Sequence, residues 1–180
     1  MMGDTMVMSL AAADTPRPET AERLGQLFDT HNARLYGLAR RLTKSPDAAR
    51  DAVQDTFLRA ARSPHSIPWG MPHEEAWLVR VLINICKDEW RKQAVRSRMA
   101  AVPPPATDRG GAESELVARS TIWRALESLP PRRRAILVLY EIEGAAIPAI
   151  ARLLGVRAVS VRWHLSVGRR ELARVIGTTT

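Results

Sequence analysis

The stretch GAAIPAIARLLGVRAVSVRWHLSVGRRELARV, residues 144–175, predicts two helices that meet at a tight corner. Apolar residues recur at helical spacing in the first helix: Ile147, Ile150, Ala151 and Leu154. Gly155 follows immediately, where a chain that turns sharply needs a residue free to take a positive φ. The pattern therefore predicts a short helix, a glycine corner and a second helix.

The second of these helices separates an apolar stripe from a cationic face. Its stripe consists of Val161, Leu165, Gly168 and Leu172, in which the glycine permits two backbones to approach closely. Its opposite face carries Arg162, Trp163, Ser166, Arg169, Arg170 and Arg174. Such a helix behind a short corner is typical of a helix-turn-helix DNA reader. The alternative is an ordinary helical hairpin whose basic face is only solvated.

The composition also points to a polyanionic partner. The chain has 180 residues, enough for one domain or two small ones, and its 27 Lys+Arg against 19 Asp+Glu give a formal charge of +8. Nearly all of these cations are arginines, whose planar fork suits phosphates and guanine edges. A genome rich in G and C would enrich arginine as well, so composition alone does not identify the partner.

Catalytic and metal-binding patterns are missing from the sequence. Cys86 is the single cysteine, which excludes an intramolecular disulfide and a cysteine-based zinc site. The four histidines are scattered, and neither a nucleophile elbow nor a phosphate loop occurs. We therefore expect no enzyme activity, metal, cofactor or small-molecule substrate. Residues 1–19 are expected to be a disordered lead-in, not a signal peptide, and a cytoplasmic protein without membrane insertion is expected.

Periodicity predicts an all-α chain of two small helical domains joined by a flexible linker. The first domain spans residues 20–98, the linker 99–112 and the second domain 113–176. The predicted elements of the first domain are helices over 20–42 and 46–62, a loop over 63–72 and a long helix over 73–98. A helix over 113–129, and another that starts at the Pro130–Pro131 pair, precede the helix-turn-helix.

Three polar or aromatic features of the first domain are candidate interfaces. The second helix carries Asp51, Gln54 and Asp55 on one face. The proline-rich loop contains Ile67, Trp69 and Met71, which either plug into the core or form a pocket for a ligand group. The long helix has a polar stripe with Trp77 and Trp90 nearby: Arg80, Asn84, Lys87 and Arg91, bordered by Asp88. This stripe is either a solvated face or a site for phosphate contact and base stacking.

Together these segments resemble the extracytoplasmic-function sigma factors of the sigma-70 family, over residues 20–176. ARRLTKSPDAARDAVQDTFLRAAR is similar to the family's core-binding helix and the helix before it. AWLVRVLINICKDEWRKQAVR, from Ala76, is similar to the segment that melts and reads the minus 10 element. LPPRRRAI, residues 129–136, is similar to the lead-in to the minus 35 reader.

The resemblance implies three binding surfaces and no covalent chemistry. Core RNA polymerase, through its beta-prime clamp, would contact Asp51, Gln54, Asp55 and Phe57. Minus 10 DNA would contact Trp69, Trp77, Arg80, Asn84, Lys87, Asp88 and Arg91. Minus 35 DNA would contact Ser160, Arg162, Trp163, Ser166, Arg169, Arg170 and Arg174. The beta flap and an anti-sigma factor are the further implied partners, and the latter would tether the chain at the membrane if it is itself a membrane protein.

Departures from the family pattern leave the promoter sequence open. Ala146 stands where a capping serine is usual, so the first helix of the helix-turn-helix should start without a side-chain cap, and Pro148 is tolerated only in its first turn. His164 and Val167 stand where a basic residue is frequent, and Trp163 fills a usually small position. Two rival functions are a decoy that captures an anti-sigma protein and a stand-alone helix-turn-helix regulator.

Overall fold

A computed structural model describes residues 18–99 and 123–177, and every regular element in these two ranges is a helix. The helices are α1 (Pro18–Leu42), α2 (Pro46–Arg62), α3 (Met71–Met99), α4 over 123–128, α5 (Pro131–Leu137), α6 (Ile147–Leu154) and α7 (Ala158–Gly177). A 3-10 turn, Pro64–Ser66, precedes α3, and a π-helical turn, Val138–Ile142, extends α5. The all-α prediction is confirmed.

Most of the lead-in and of the linker, and the first part of the helix predicted over 113–129, lie outside the described residues. Among the described helices, none is long and apolar enough to cross a bilayer.

The first domain packs α1, α2 and α3 around a common apolar core. Ser45 caps α2 by accepting a hydrogen bond at Oγ from the Ala48 backbone N–H at 3.1 Å, and Pro46 stands in its first turn. Leu35, Leu78 and Leu82 are fully buried. Phe28 belongs to the apolar periodicity of α1 but is 46% exposed. The core closes over its neighbour Leu27, which leaves Phe28 at the edge of the α1–α2 pair.

The second domain is built around α5 and the π-helical turn that extends it. The residues from Ala135 to Leu139 in these two elements are all buried. Gly155 follows α6 with φ 64°, as predicted. Ala146, the residue before α6, supplies no side-chain cap, and the helix has a proline in its first turn. Helix α7 lies against α5 at Gly168. A Cβ atom there would lie only 2.7 Å from Cδ1 of Leu137, so a larger residue would require the Leu137 side chain to shift. The small residue predicted in the apolar stripe therefore does set a close approach.

The two domains contact one another through α1 and α3 on one side and α5 and α6 on the other. The buried guanidinium of Arg134 donates from Nη1 to the carbonyl of Leu42, at the end of α1, at 2.8 Å. Glu143, which follows α5, pairs with Arg34 at 3.2 Å and with Arg41 at 3.0 Å, both on α1. The sequence did not predict this closed arrangement.

Candidate nucleic-acid and protein interfaces

The predicted minus 35 residues lie together on α7. Six are exposed and Ser160 is half-buried: Arg162, Trp163, Ser166, Arg169, Arg170 and Arg174. They stand apart from Val161, Leu165 and Gly168, which face the core of the second domain. Trp163 is 55% exposed, with its ring edge-on to His164 at a centroid distance of 4.9 Å. The face therefore offers cations, a hydroxyl and an indole to a ligand at the same time.

Ion pairs fix the orientation of this face. Arg133 of α5 donates two hydrogen bonds to Glu171, at 2.7 and 2.5 Å, which tie α5 to α7. Arg169 donates from Nε to Glu141 at 2.8 Å, and this hydrogen bond raises the pKa of Arg169. Arg169 must leave Glu141 before it can bind a phosphate, whereas Arg170 is directed to solvent.

His164 adds no positive charge to α7. Partial burial lowers the pKa of its imidazole, and the nearby guanidinium groups of Arg133 and Arg132 lower it further. Because its pKa is lowered, the imidazole of His164 is mainly neutral at pH 7. The net charge of the face comes from arginines alone.

The minus 10 stripe of α3 is only partly open to solvent. Asn84, Asp88 and Arg91 are exposed, and Trp77 and Lys87 are half-buried. Arg80 instead donates from Nη1 to the carbonyl of Leu153 in α6 at 3.2 Å, and its Cδ would lie 3.5 Å from a Cβ at Gly155.

The interpretation of this stripe as one solvated face is therefore wrong at Arg80, because α6 packs there. The carbonyls of the last helical turn lack helical partners, and a guanidinium satisfies one of them. Arg80 is engaged by the first helix of the helix-turn-helix.

The apolar residues of the proline-rich loop differ in burial, so one of them packs into the core and two are open to a ligand. Ile67 is buried and plugs the core, while Trp69 is 76% exposed and Met71 62% exposed. The loop is also shorter than predicted, because α3 begins at Met71. Gly70, at φ 95°, turns the chain into α3, and its carbonyl accepts hydrogen bonds from the first free N–H groups of that helix.

The predicted core-binding residues lie on two neighbouring faces of α2. Gln54 and Phe57 line an open groove of about 730 Å³ between α1 and α2. Asp51 and Asp55 border a second cleft, toward α3. All are exposed except Phe57, which is half-buried. The interface candidate thus consists of an apolar groove on one face of α2 and an acidic pair on the neighbouring face.

Two further apolar residues of this groove were not among the predicted core-binding residues. Phe28 lies 4.9 Å from the Phe57 ring between centroids, and Leu58, 43% exposed, continues the apolar wall. Leu24 and Tyr36 also line the groove, and Arg50 is the charged residue of its lining. The sequence does contain a signal for them: α1 and α2 carry more large apolar residues than a single buried face of each helix can hold, which indicates that some of them are exposed.

No group of residues suited to hold a metal ion occurs within 18–99 and 123–177. Cys86 is buried, and desolvation raises the pKa of its thiol to about 12. A thiol that stays protonated is a poor nucleophile.

Comparison with known proteins identifies both domains. The profile of Sigma-70 region 2 matches residues 27–96, and that of Sigma-70, region 4 matches residues 119–172. ECF RNA polymerase sigma factor SigM of Mycobacterium tuberculosis is 32% identical over 157 residues, which cover 84% of this chain and 76% of SigM. ECF RNA polymerase sigma factor SigE of Mycolicibacterium smegmatis is 36% identical over 154 residues, covering 82% of this chain and 59% of SigE.

Among solved structures, the fold is similar to that of the sigma factor RpoE of Bartonella quintana, crystallised with the anti-sigma factor NepR. The TM-score is 0.56 at 21% identity, over 88% of this chain and 97% of RpoE. At this identity the likeness concerns the fold alone.

Proposed function

Because this chain belongs to the extracytoplasmic-function sigma factors of RNA polymerase, we propose that it binds the core enzyme and directs it to promoters through two separate DNA-contacting surfaces. The observation that carries the proposal is the exposed cationic face of α7, set behind a glycine corner on a helix that packs into the second domain. The protein acts by binding and positioning, with the polymerase supplying the chemistry, and it works where polymerase and promoter DNA are found, in the cytoplasm.

The core enzyme docks on α2. The groove beside Gln54 and Phe57 supplies apolar area for a helical partner, and Asp51 and Asp55 on the neighbouring face of α2 supply negative charge. Apolar contact at the centre with charge at the edge is the usual anatomy of a protein interface, where the charges select and orient the partner. The beta-prime clamp of the polymerase is the proposed occupant.

The minus 35 element binds α7 in the major groove. Arg162, Trp163 and Ser166 lie toward the N-terminal half of the helix, which in helix-turn-helix proteins contacts base edges. Arg170 and Arg174 lie nearer its C-terminus and hold phosphates, which position the helix without reading sequence. The exposed indole of Trp163 supplies an apolar surface for a thymine methyl group.

The minus 10 element binds between α3 and the loop before it. Asn84, Lys87 and Arg91 hold the backbone of the opened strand, and Trp69 and Trp77 supply ring faces. Unstacking a base costs a few kcal/mol, and stacking on an aromatic side chain returns about 1–3 kcal/mol. Melting is then selective for sequences whose unstacked base fits.

The closed arrangement of the two domains must open before promoter binding. Arg80 reaches a promoter phosphate only after it leaves the carbonyl of Leu153. A two-state equilibrium of this kind is available to a regulator that prefers one state. An anti-sigma factor is the proposed regulator, as one binds the structurally similar RpoE.

The test is transcription from a genomic library by purified core polymerase, with and without the full-length chain. We expect new start sites that share upstream minus 35 and minus 10 elements. A decoy module would leave the start sites unchanged. A stand-alone regulator would bind DNA without core polymerase and would be unaffected by Gln54→Ala with Phe57→Ala, whereas the proposed function requires those residues for core binding.

A further inference from the structure

Arg23, on α1, lies outside every surface described above and yet holds the exposed loop. Its Nη2 donates to the carbonyl of Ile67 at 3.2 Å and to the carbonyl of Pro68 at 3.0 Å. The same nitrogen lies 3.4 Å from Oε1 of Glu74, in the first turn of α3, and both side chains are only 16% exposed. Arg23 thus joins α1, the loop and α3.

The guanidinium of Arg23 also covers one face of Trp69. Its Cζ lies 3.6 Å from the centroid of the indole ring, a close cation–π contact. Trp69 is nevertheless 76% exposed, so most of the indole remains open to solvent. A large aromatic ring is therefore presented outward while its inner side is backed by a fixed charge.

We propose that Arg23 is a positioning residue that holds Trp69 as a preformed platform for the unstacked base of the minus 10 element. The inference rests on the proposed function and adds a residue to it. A base stacks on Trp69 from the open side, because the guanidinium occupies the other. Ordering the ring before DNA arrives removes an entropic cost that a mobile tryptophan would incur on binding.

The geometry requires arginine at this position. The planar guanidinium lies over a ring and donates in its own plane to neighbouring carbonyls, whereas an ammonium group is a point charge with neither property. The two carbonyls belong to the residues that immediately precede Trp69, and Gly70 follows it at φ 95°. Arg23 therefore fixes the indole on its N-terminal side, while the next residue is the one with most backbone freedom.

The experiment is a double-mutant cycle in the full-length chain with core polymerase. Permanganate footprinting measures the rate of open-complex formation for wild type, Arg23→Ala, Trp69→Ala and the double variant, on promoters that carry each base at the minus 10 positions. We expect Arg23→Ala to slow melting about three- to tenfold and to weaken base selectivity, because it removes the ring contact and the loop hydrogen bonds. In the Trp69→Ala background the same change should have less than about a twofold effect, because the positioned group is absent.

Two further variants separate positioning from stability. Arg40→Ala removes the same charge from an exposed position of α1 and should leave melting unchanged. Arg23→Lys keeps the charge and should remain impaired, although its thermal midpoint and core binding match those of wild type. If Arg23→Lys restores full base selectivity, or if Arg23→Ala slows melting equally with and without Trp69, the positioning role is wrong.

The outcomes also distinguish this inference from the proposed function. If wild type opens promoters and Asn84→Ala with Lys87→Ala impairs opening, while Trp69→Ala has no effect, the function stands and the platform is overturned. If wild type with core polymerase opens no promoter at all, the proposed function fails first.

Discussion

Neutralising one carboxylate should shift the two domains from the closed toward an open arrangement. Glu143 stands between two arginines of α1, with Arg34 at 3.2 Å and Arg41 at 3.0 Å. Glu143→Gln keeps the size of the side chain but removes its charge, and it replaces one of the two oxygens that accept from Arg34 and Arg41 by an amide NH2 group. Because both arginines belong to the first domain and Glu143 to the second, the loss falls on the contact between domains.

The magnitude follows from the exposure of the partners. Glu143 is 18% exposed, and the arginines are 48% and 35% exposed, so solvent screens both pairs. Pairs of this kind contribute about 0.2–1 kcal/mol each. Losing both therefore costs the closed arrangement about 0.5–2 kcal/mol, which is a shift of about 2- to 30-fold in the closed-to-open ratio.

The assay is single-molecule energy transfer between dyes on cysteines introduced at Arg62 and Arg152, which are exposed in the first and second domains. Cys86 does not interfere, because it is buried with the pKa of its thiol near 12. Glu143→Gln should increase the population with long dye separation. High salt should do the same to wild type, since ~1 M salt screens charges beyond about 3 Å.

Glu141→Gln is the matched control. It removes the same charge two residues earlier, but its partner Arg169 lies in the same domain at 2.7 Å, so the dye separation should stay at the wild-type value. An unchanged separation in Glu143→Gln, or an equal shift in both variants, would refute the reasoning.

Three further predictions concern binding and stability. Asn84→Ala with Lys87→Ala should reduce open-complex formation by about tenfold while core binding stays within twofold, because both belong to the part of α3 that we propose binds DNA. Equal losses in footprinting and pull-down would contradict this. Arg170→Ala should weaken minus 35 affinity and lower the slope of log K against log salt by about one, measured by fluorescence anisotropy, since one phosphate contact is lost; an unchanged slope would exclude that contact. Gly168→Ala should destabilise the chain by about 1 kcal/mol in urea unfolding, because overpacking against Leu137 outweighs the gain in helix propensity; a stabilised variant would mean that Leu137 moves freely.

Local chemistry made most of the helices predictable. The Ser45 cap, the following proline and the positive φ of Gly155 each act within a few residues, so sequence alone indicates them. The π-helical turn after α5 was not predicted. Every residue from Ala135 to Leu139 is apolar. Without alternating polar positions, the sequence does not show where the helical register changes, so the start of the π-helical turn could not be predicted.

The periodic pattern of apolar residues did not predict contacts between segments that are distant in sequence. Arg134 and Leu42 are 92 positions apart, and Arg23 and Ile67 are 44 apart. Helical spacing tells which residues share a face but not which other helix covers that face, so Arg80 was predicted to lie on an open polar stripe, either solvated or in contact with DNA, and its contact with α6 was not predicted. For the same reason the pattern did not predict that the minus 10 stripe of α3 contacts the second domain. It also did not indicate Arg23, whose guanidinium lies over Trp69.

The most direct measurement is the retention of the full-length chain by purified core RNA polymerase at low salt, without any inhibitor. The account predicts a stable complex for wild type and a complex weakened at least about tenfold for Gln54→Ala with Phe57→Ala, because those residues line the proposed docking groove. Failure of the wild-type chain to bind core polymerase would contradict the account.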